Sequence, residues 1–224
     1  MSATPALRVL YGGTFDPVHD GHLAIARCAR DVLDTRIDLM PAADPPHRPP
    51  TGAGIADRVA MLQLALQDEP GLALDQRELG RDGPSWSVDT LQALRAAPAG
   101  DGPVALLLGA DSFAGLPGWK DWRLLFGLAH FVVASRSDAL PDADLAPALA
   151  AAVEGRVVGD AAALREAPAG RVLFLRQPLH AHSASDVRAR IASGRPWRDL
   201  VPAAVAAYIT ARGLYGSLPG VIGR

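Results

Sequence analysis

The chain is poor in two reactive residue types. Among its 224 residues there is one cysteine, Cys28, so no internal disulfide can form and a cysteine-based zinc site lacks its ligands. Lys120 is the one lysine among 22 basic residues. A P-loop needs Gly-Lys-Ser/Thr, and that triplet is absent. Any phosphate must therefore be held by arginine, histidine, hydroxyls or backbone N–H groups. No Gly-x-Gly-x-x-Gly occurs, so hydride chemistry on a bound dinucleotide is not indicated. No apolar run approaches the roughly 20 residues that a membrane span needs. The start of the chain has no basic segment leading into an apolar stretch, so a cytoplasmic protein with no membrane partner is expected. A net charge of −2 gives no electrostatic case for a nucleic-acid partner. No cluster of carboxylates suggests a metal cage built by the protein itself.

What is present describes a globular chain. Apolar residues make up 49% and charged residues 21%. The length suits one sizeable domain over residues 1–216, with 217–224 as a tail. Short buried strands are predicted at 7–11, 36–40, 72–74, 104–108, 131–134 and 172–175. Helical spacing is predicted at 22–33, 56–67, 88–96, 122–128, 186–192 and 203–212. Ile55, Val59, Leu62 and Leu66 would form the apolar face of the second helix, and Gly213 is a helix-stop signal. Residues 138–170 lack a clear period and are read as a variable helical excursion. Strands alternating with helices predict an α/β fold: a Rossmann-like, doubly wound parallel sheet with helices on both faces. Ligands of such sheets bind beyond the C-terminal strand ends, where the strand order reverses.

The strongest signal lies between the first strand and the first helix: Gly12-Gly13-Thr14-Phe15-Asp16-Pro17-Val18-His19-Asp20-Gly21-His22. Gly12 and Gly13 carry no Cβ, so a bulky anion can approach the backbone. Thr14 offers a hydroxyl. His22 opens the helix, where free N–H groups and the helix dipole attract phosphate. His19 and His22 are three apart, so one helical turn would aim both imidazoles at one phosphate. A structural β–α turn would account for Gly-Gly alone, and a zinc site would need a third ligand. This segment resembles the His-x-Gly-His signature of the nucleotidyltransferase superfamily, and its longer form resembles the bacterial nicotinate-nucleotide adenylyltransferases.

Further segments fit that resemblance. Pro45-Pro46-His47-Arg48 sits in the long loop after the second strand; the family carries a Pro-Pro-His-Lys/Arg element there, with Asp44 here departing from the usual Asn. Ser85-Trp86-Ser87 stands where the family has Ser-Tyr-Thr, and Ser87 reads as part of a helix N-cap region. Gly109, Asp111 and Arg136 lie at strand ends. Trp119, after Pro-Gly, suits stacking on a flat heteroaromatic ring. Ser183, Ser185 and Arg188 match the family's Ile-Ser-Ser/Ala-Thr-x-Ile-Arg element, with His182 and Asp186 as departures. The chain's end, through Tyr215, reads as a packing helix.

The resemblance implies catalytic roles for His19, His22 and Arg188. It implies ATP contacts at Gly12, Gly13, Thr14, Gly21, Gly109, Asp111, Ser183 and Ser185. It implies mononucleotide contacts at Phe15, His47, Arg48, Ser87, Trp119 and Arg136. The substrates would be ATP and nicotinate mononucleotide, Mg²⁺ would arrive with the ATP, and the protein would act as a monomer or small homo-oligomer. A related transferase acting on nicotinamide mononucleotide or phosphopantetheine, and a non-catalytic nucleotide-binding module, are the alternatives. The flat-ring features of Trp119 and residues 85–87 speak against phosphopantetheine. Both histidines together with Arg188 speak against a non-catalytic module.

Overall fold

The computed structural model describes residues 6–43, 51–80, 83–98, 100–135, 145–176 and 183–217. Its centre is a seven-stranded parallel sheet: β1 (Arg8–Gly13), β2 (Ile37–Pro41), β3 (Leu72–Leu74), β4 (Val104–Gly109), β5 (His130–Ser135), β6 (Val157–Val158) and β7 (Val172–Arg176). The spatial order is β3-β2-β1-β4-β5-β7-β6. The helices are α1 (Asp20–Leu33), α2 (Ile55–Leu66), α3 (Ser87–Ala96), α4 (Ala110–Ala114), α5 (Trp122–Leu128), α6 (Pro147–Val153), α7 (Ala184–Ala192) and α8 (Ala203–Arg212). Among the described residues no helix is long and apolar enough to cross a membrane.

Side chains alternate across the sheet, so one strand feeds two cores. Val9 and Tyr11 of β1 join Leu23, Leu62, Val187 and Val205 on the face of α1, α2, α7 and α8. Leu10 points the other way, to Leu91, Leu106, Phe113, Leu125 and Leu149 on the face of α3–α6. Strands buried on both faces must be apolar throughout, which is why they read as short continuous runs.

Helix α1 shows how local sequence sets an element. His19, with extended backbone, is its N-cap, and Asp20 places a negative charge on the positive helix end. Leu23, Ala26, Ala29 and Leu33 recur at helical spacing and are buried. Asp34 adopts the left-handed conformation (φ 45°) and its N–H returns to the carbonyl of Arg30, ending the helix.

Three expectations change. Residues 145–165 are not only helical: α6 is followed by Gly155 at φ 69° and then by Val157-Val158, which pairs with Val172-Leu173 as the edge strand β6. Two β-branched residues after a glycine turn favour an added strand. The short helix α4 was not anticipated, since five residues carry too little periodicity. The buried face of α2 is Arg58, Met61, Leu62 and Ala65, while Ile55 is exposed. The helix is rotated from its apolar stripe because Arg58 has buried carbonyls to reach.

Candidate active site

The strand order reverses between β1 and β4, whose carboxyl ends therefore border an open crevice. Gly12 and Gly13 end β1, and Gly109 ends β4. The crevice has two sides that meet at Gly12–Thr14.

On the first side lies the start of α1. His22 is in the third helical position, one turn from His19, and the two imidazoles stack with centroids 3.7 Å apart and planes 28° apart. The backbone N–H of His19 donates to His22 Nδ1 at 3.3 Å. With Nδ1 accepting, a neutral His22 carries its proton on Nε2, as a donor needs. Phe15 backs the His22 ring: it is 1% exposed, has φ 48°, and packs edge-on against both His22 (5.0 Å) and Tyr11 (5.7 Å). A Cβ on Gly13 would come within 2.9 Å of the Phe15 ring, whereas one on Gly12 would meet only Met40 at 3.9 Å. Gly13 is thus required by internal packing, and Gly12 leaves its side open. The Phe15 side chain, enclosed in this way, leaves only backbone to a ligand.

Behind the loop is a buried charged network. Arg58 is 1% exposed; its Nη1 donates to the Thr14 carbonyl (2.7 Å) and its Nη2 to the Ala43 carbonyl (3.1 Å). One guanidinium therefore ties the glycine loop to the exit of β2. Burial pulls its pKa below the ordinary arginine value, against the opposing charge of Asp16. Asp16 is buried and accepts from Gly52 N (2.7 Å), Ala53 N (3.0 Å) and Tyr215 Oη (2.7 Å). Arg188 Nη1 donates to the backbone carbonyl of Asp16 (2.6 Å) and lies 3.6 Å from its carboxylate; Nη2 reaches Ser185 Oγ (3.3 Å). Burial and then the Asp16 hydrogen bond raise the pKa of Tyr215 far above the ordinary tyrosine value, so its hydroxyl stays a donor. Ser183 caps α7 by accepting from Asp186 N. Asp186 pairs with Arg190 along the helix at 2.8 Å, so its charge is offset locally.

The second side is a cavity of about 420 Å³. Its wall includes Gly12, Gly13, Thr14, Asp111, Trp119 and Ser87, with Trp86, Ser85 and Glu78. Trp119 follows a single 3-10 turn (Leu116–Gly118) and is half-buried. Trp86 is the N-cap of α3, so Ser87 is its first helical residue and not the cap. Lys120 Nζ pairs with Asp89 (2.9 Å) and sits 5.9 Å from the Trp86 ring centroid. Glu78 is buried and accepts from Thr90 Oγ1 at 2.6 Å, joining its loop to α3.

The structure therefore brings His19, His22, Gly21, Ser185 and Arg188 together around the helix starts. It gathers Gly12, Gly13, Thr14, Asp111, Ser87 and Trp119 around the cavity. Asp111, expected with ATP, shares its wall with the residues expected at the mononucleotide. A Cβ on Gly109 would meet nothing within 4 Å, so no steric demand explains that glycine. Asp44, His47, Arg48, Arg136 and His182 lie outside the described residues. Among the described residues no group of three or more His, Cys, Asp or Glu could hold a metal ion. Arg58, Asp16 and Tyr215 were not singled out from sequence. An arginine on an amphipathic helix reads as solvent-facing, and Asp-Pro reads as a turn. The one available signal was that Arg58 interrupts the face that buries Met61 and Leu62.

Comparison with known proteins gives a consistent picture. The cytidylyltransferase-like family matches residues 10–190. The probable nicotinate-nucleotide adenylyltransferase of Stenotrophomonas maltophilia (strain K279a) is 54% identical over 217 residues, 95% of this chain and 98% of that one. That of Xylella fastidiosa (strain M12) is 48% identical over 217 residues, 95% and 97% of the two chains. Among solved structures, Plasmodium falciparum nicotinic acid mononucleotide adenylyltransferase complexed with NaAD superposes with a TM-score of 0.72 at 13% identity, covering 96% of this chain and 99% of that one. At that identity the likeness is one of fold.

Proposed function

Because this chain belongs to the nicotinate-nucleotide adenylyltransferase family of cytidylyltransferase-like proteins, we propose that it transfers AMP from ATP to nicotinate mononucleotide. The products are nicotinate adenine dinucleotide and pyrophosphate, and the step belongs to NAD biosynthesis. The observation that carries this reading is the meeting, across Gly12–Thr14, of a histidine–arginine cluster with an aromatic-walled cavity.

In this reaction a mononucleotide phosphate oxygen attacks the α-phosphorus of ATP. A new P–O bond forms, and the bond from the α-phosphorus to the bridging oxygen breaks as pyrophosphate leaves. The attacking phosphate is already an anion, so no protein nucleophile or strong base is needed. Rate then depends on alignment and on neutralising charge. His19 and His22 are assigned to the α-phosphate, with the N–H groups at the start of α1. Arg188 and Ser185 are assigned to the departing pyrophosphate. Mg²⁺ enters as part of the ATP substrate and shares that charge. Trp119 is assigned to the pyridine ring, with Trp86 on the same wall. ATP and the mononucleotide are metabolites of the cytoplasm, where we place the enzyme, as a monomer or small homo-oligomer.

The test is a pyrophosphate-release assay with ATP and three acceptors: nicotinate mononucleotide, nicotinamide mononucleotide and phosphopantetheine. The acid mononucleotide is expected to be turned over fastest. Equal or greater activity with phosphopantetheine would sink the acceptor assignment.

A further inference from the structure

Tyr215 stands in a backbone conformation that its residue type disfavours. Its φ of 59° and ψ of 21° lie in the left-handed region, between Gly213 at φ 61° and Gly216 at φ 80°. A tyrosine persists there only when its surroundings over-determine it. The contacts of Tyr215 do so. Its ring presses on the backbone of Gly52, where an added Cβ would lie 3.0 Å from Cδ1 and Cε1 of the ring and 3.2 Å from Cδ of Arg188. Its hydroxyl donates to Asp16 Oδ1 at 2.7 Å. The same carboxylate accepts from Gly52 N and Ala53 N and faces Arg188. The strained turn after α8 thus touches the β1–α1 loop, the approach to α2 and α7 at once.

We propose that Tyr215 is a positioning residue for the ATP side of the site. It fixes the Asp16 carboxylate, and Asp16 fixes Arg188. Arg188 donates one Nη to the Asp16 main-chain carbonyl, with the carboxylate that Tyr215 braces 3.6 Å away as its ion-pair partner, and the other Nη to Ser185; among the described residues this leaves its Nε and the outer hydrogens for a ligand. The guanidinium side chain is 34% exposed, so without that anchoring it would sample several rotamers. Tyr215 touches neither reacting atom and acts only through this relay. The inference rests on the assignment of Arg188 to the ATP phosphates.

The test uses Tyr215→Phe, which keeps the ring against Gly52 and removes only the hydroxyl. MgATP affinity is measured by calorimetry without any acceptor, so the result does not depend on which acceptor the enzyme uses. Steady-state kinetics with nicotinate mononucleotide and inhibition by pyrophosphate are measured in parallel. MgATP binding and pyrophosphate inhibition should each weaken by about 3- to 10-fold, the effect of one charge-assisted hydrogen bond acting at one remove. The KM for the mononucleotide should stay within about twofold, a change of less than 0.5 kcal/mol. In an Arg188→Lys background the same change should add little, because the path runs through Arg188. Unchanged MgATP affinity and pyrophosphate inhibition, whatever happens to the melting temperature, would overturn the inference. So would an equal loss in the Arg188→Lys background.

Discussion

At the scale of single residues, the stacked histidines give the sharpest test of mechanism. His22→Ala removes one preorganised donor and should lower kcat by about 10²–10³ while ATP affinity changes little. Near-normal turnover would make the pair a helix cap and nothing more. The tryptophans divide in a similar way. Trp119 is half-buried on the cavity wall, whereas Trp122 is buried at the head of α5 against Phe126. Trp119→Ala should raise the acceptor KM by roughly 5- to 150-fold, the range of a lost stacking contact of about 1–3 kcal/mol. Trp122→Ala should lower the melting temperature and spare that KM. A reversed pattern would move the pyridine pocket elsewhere. The candidate residues that the structure gathers around the crevice were legible because each stands in a motif whose types packing does not explain. The residues that hold them were not. Arg58 and Asp16 act by folding back onto backbone groups from distant parts of the chain, and no local spacing encodes that.

At the scale of elements, α2 ties the glycine loop to the exit of β2 through Arg58. Arg58→Met would leave the carbonyls of Thr14 and Ala43 without their donor. Each such loss costs about 1–3 kcal/mol, so a destabilisation of roughly 2–6 kcal/mol is expected in urea unfolding. Arg58→Lys, which can reach one carbonyl but not bridge two, should fall between. A neutral Arg58→Met variant would show that the loops hold themselves. The central strands were legible because a strand buried on both faces is an uninterrupted apolar run, and β4 and β5 show this plainly. α4 and β6 were not, because elements of five and two residues are set by the neighbours they dock against. The face of α2 was misjudged because a buried guanidinium outweighed an apolar stripe.

At the scale of the whole molecule, His130 predicts an acid limit to stability. It is fully buried at the start of β5; its Nδ1 accepts from Arg171 N (3.0 Å) and its Nε2 faces the Ala167 carbonyl (2.9 Å), the arrangement of a neutral ring. Burial lowers its pKa from 6.5; the hydrogen bond to Ala167 opposes this, and the charge on Arg95 adds to it. The folded pKa lies below the unfolded one. Above about pH 6.5 both states are neutral and the group contributes no slope. Below that the unfolded chain takes up a proton that the folded chain refuses, so stability falls with pH at up to about 1.4 kcal/mol per unit until the folded pKa is reached. Unfolding free energies at pH 7 and pH 5.5 should therefore differ more in the wild type than in His130→Gln. Equal differences would remove His130 from the account.

The bond between Asp16 and Tyr215 also spans 199 positions of the chain. Ribosomes release the amino end first, at about 5–20 residues per second. The glycine loop, the histidines and the parallel sheet are all made before the residue that closes the relay. A nascent chain stalled after α8 therefore has every chemical group of the candidate site and lacks only its last brace. If the relay acts as proposed, a chain made only as far as α8 should hold ATP more weakly than one that includes Tyr215.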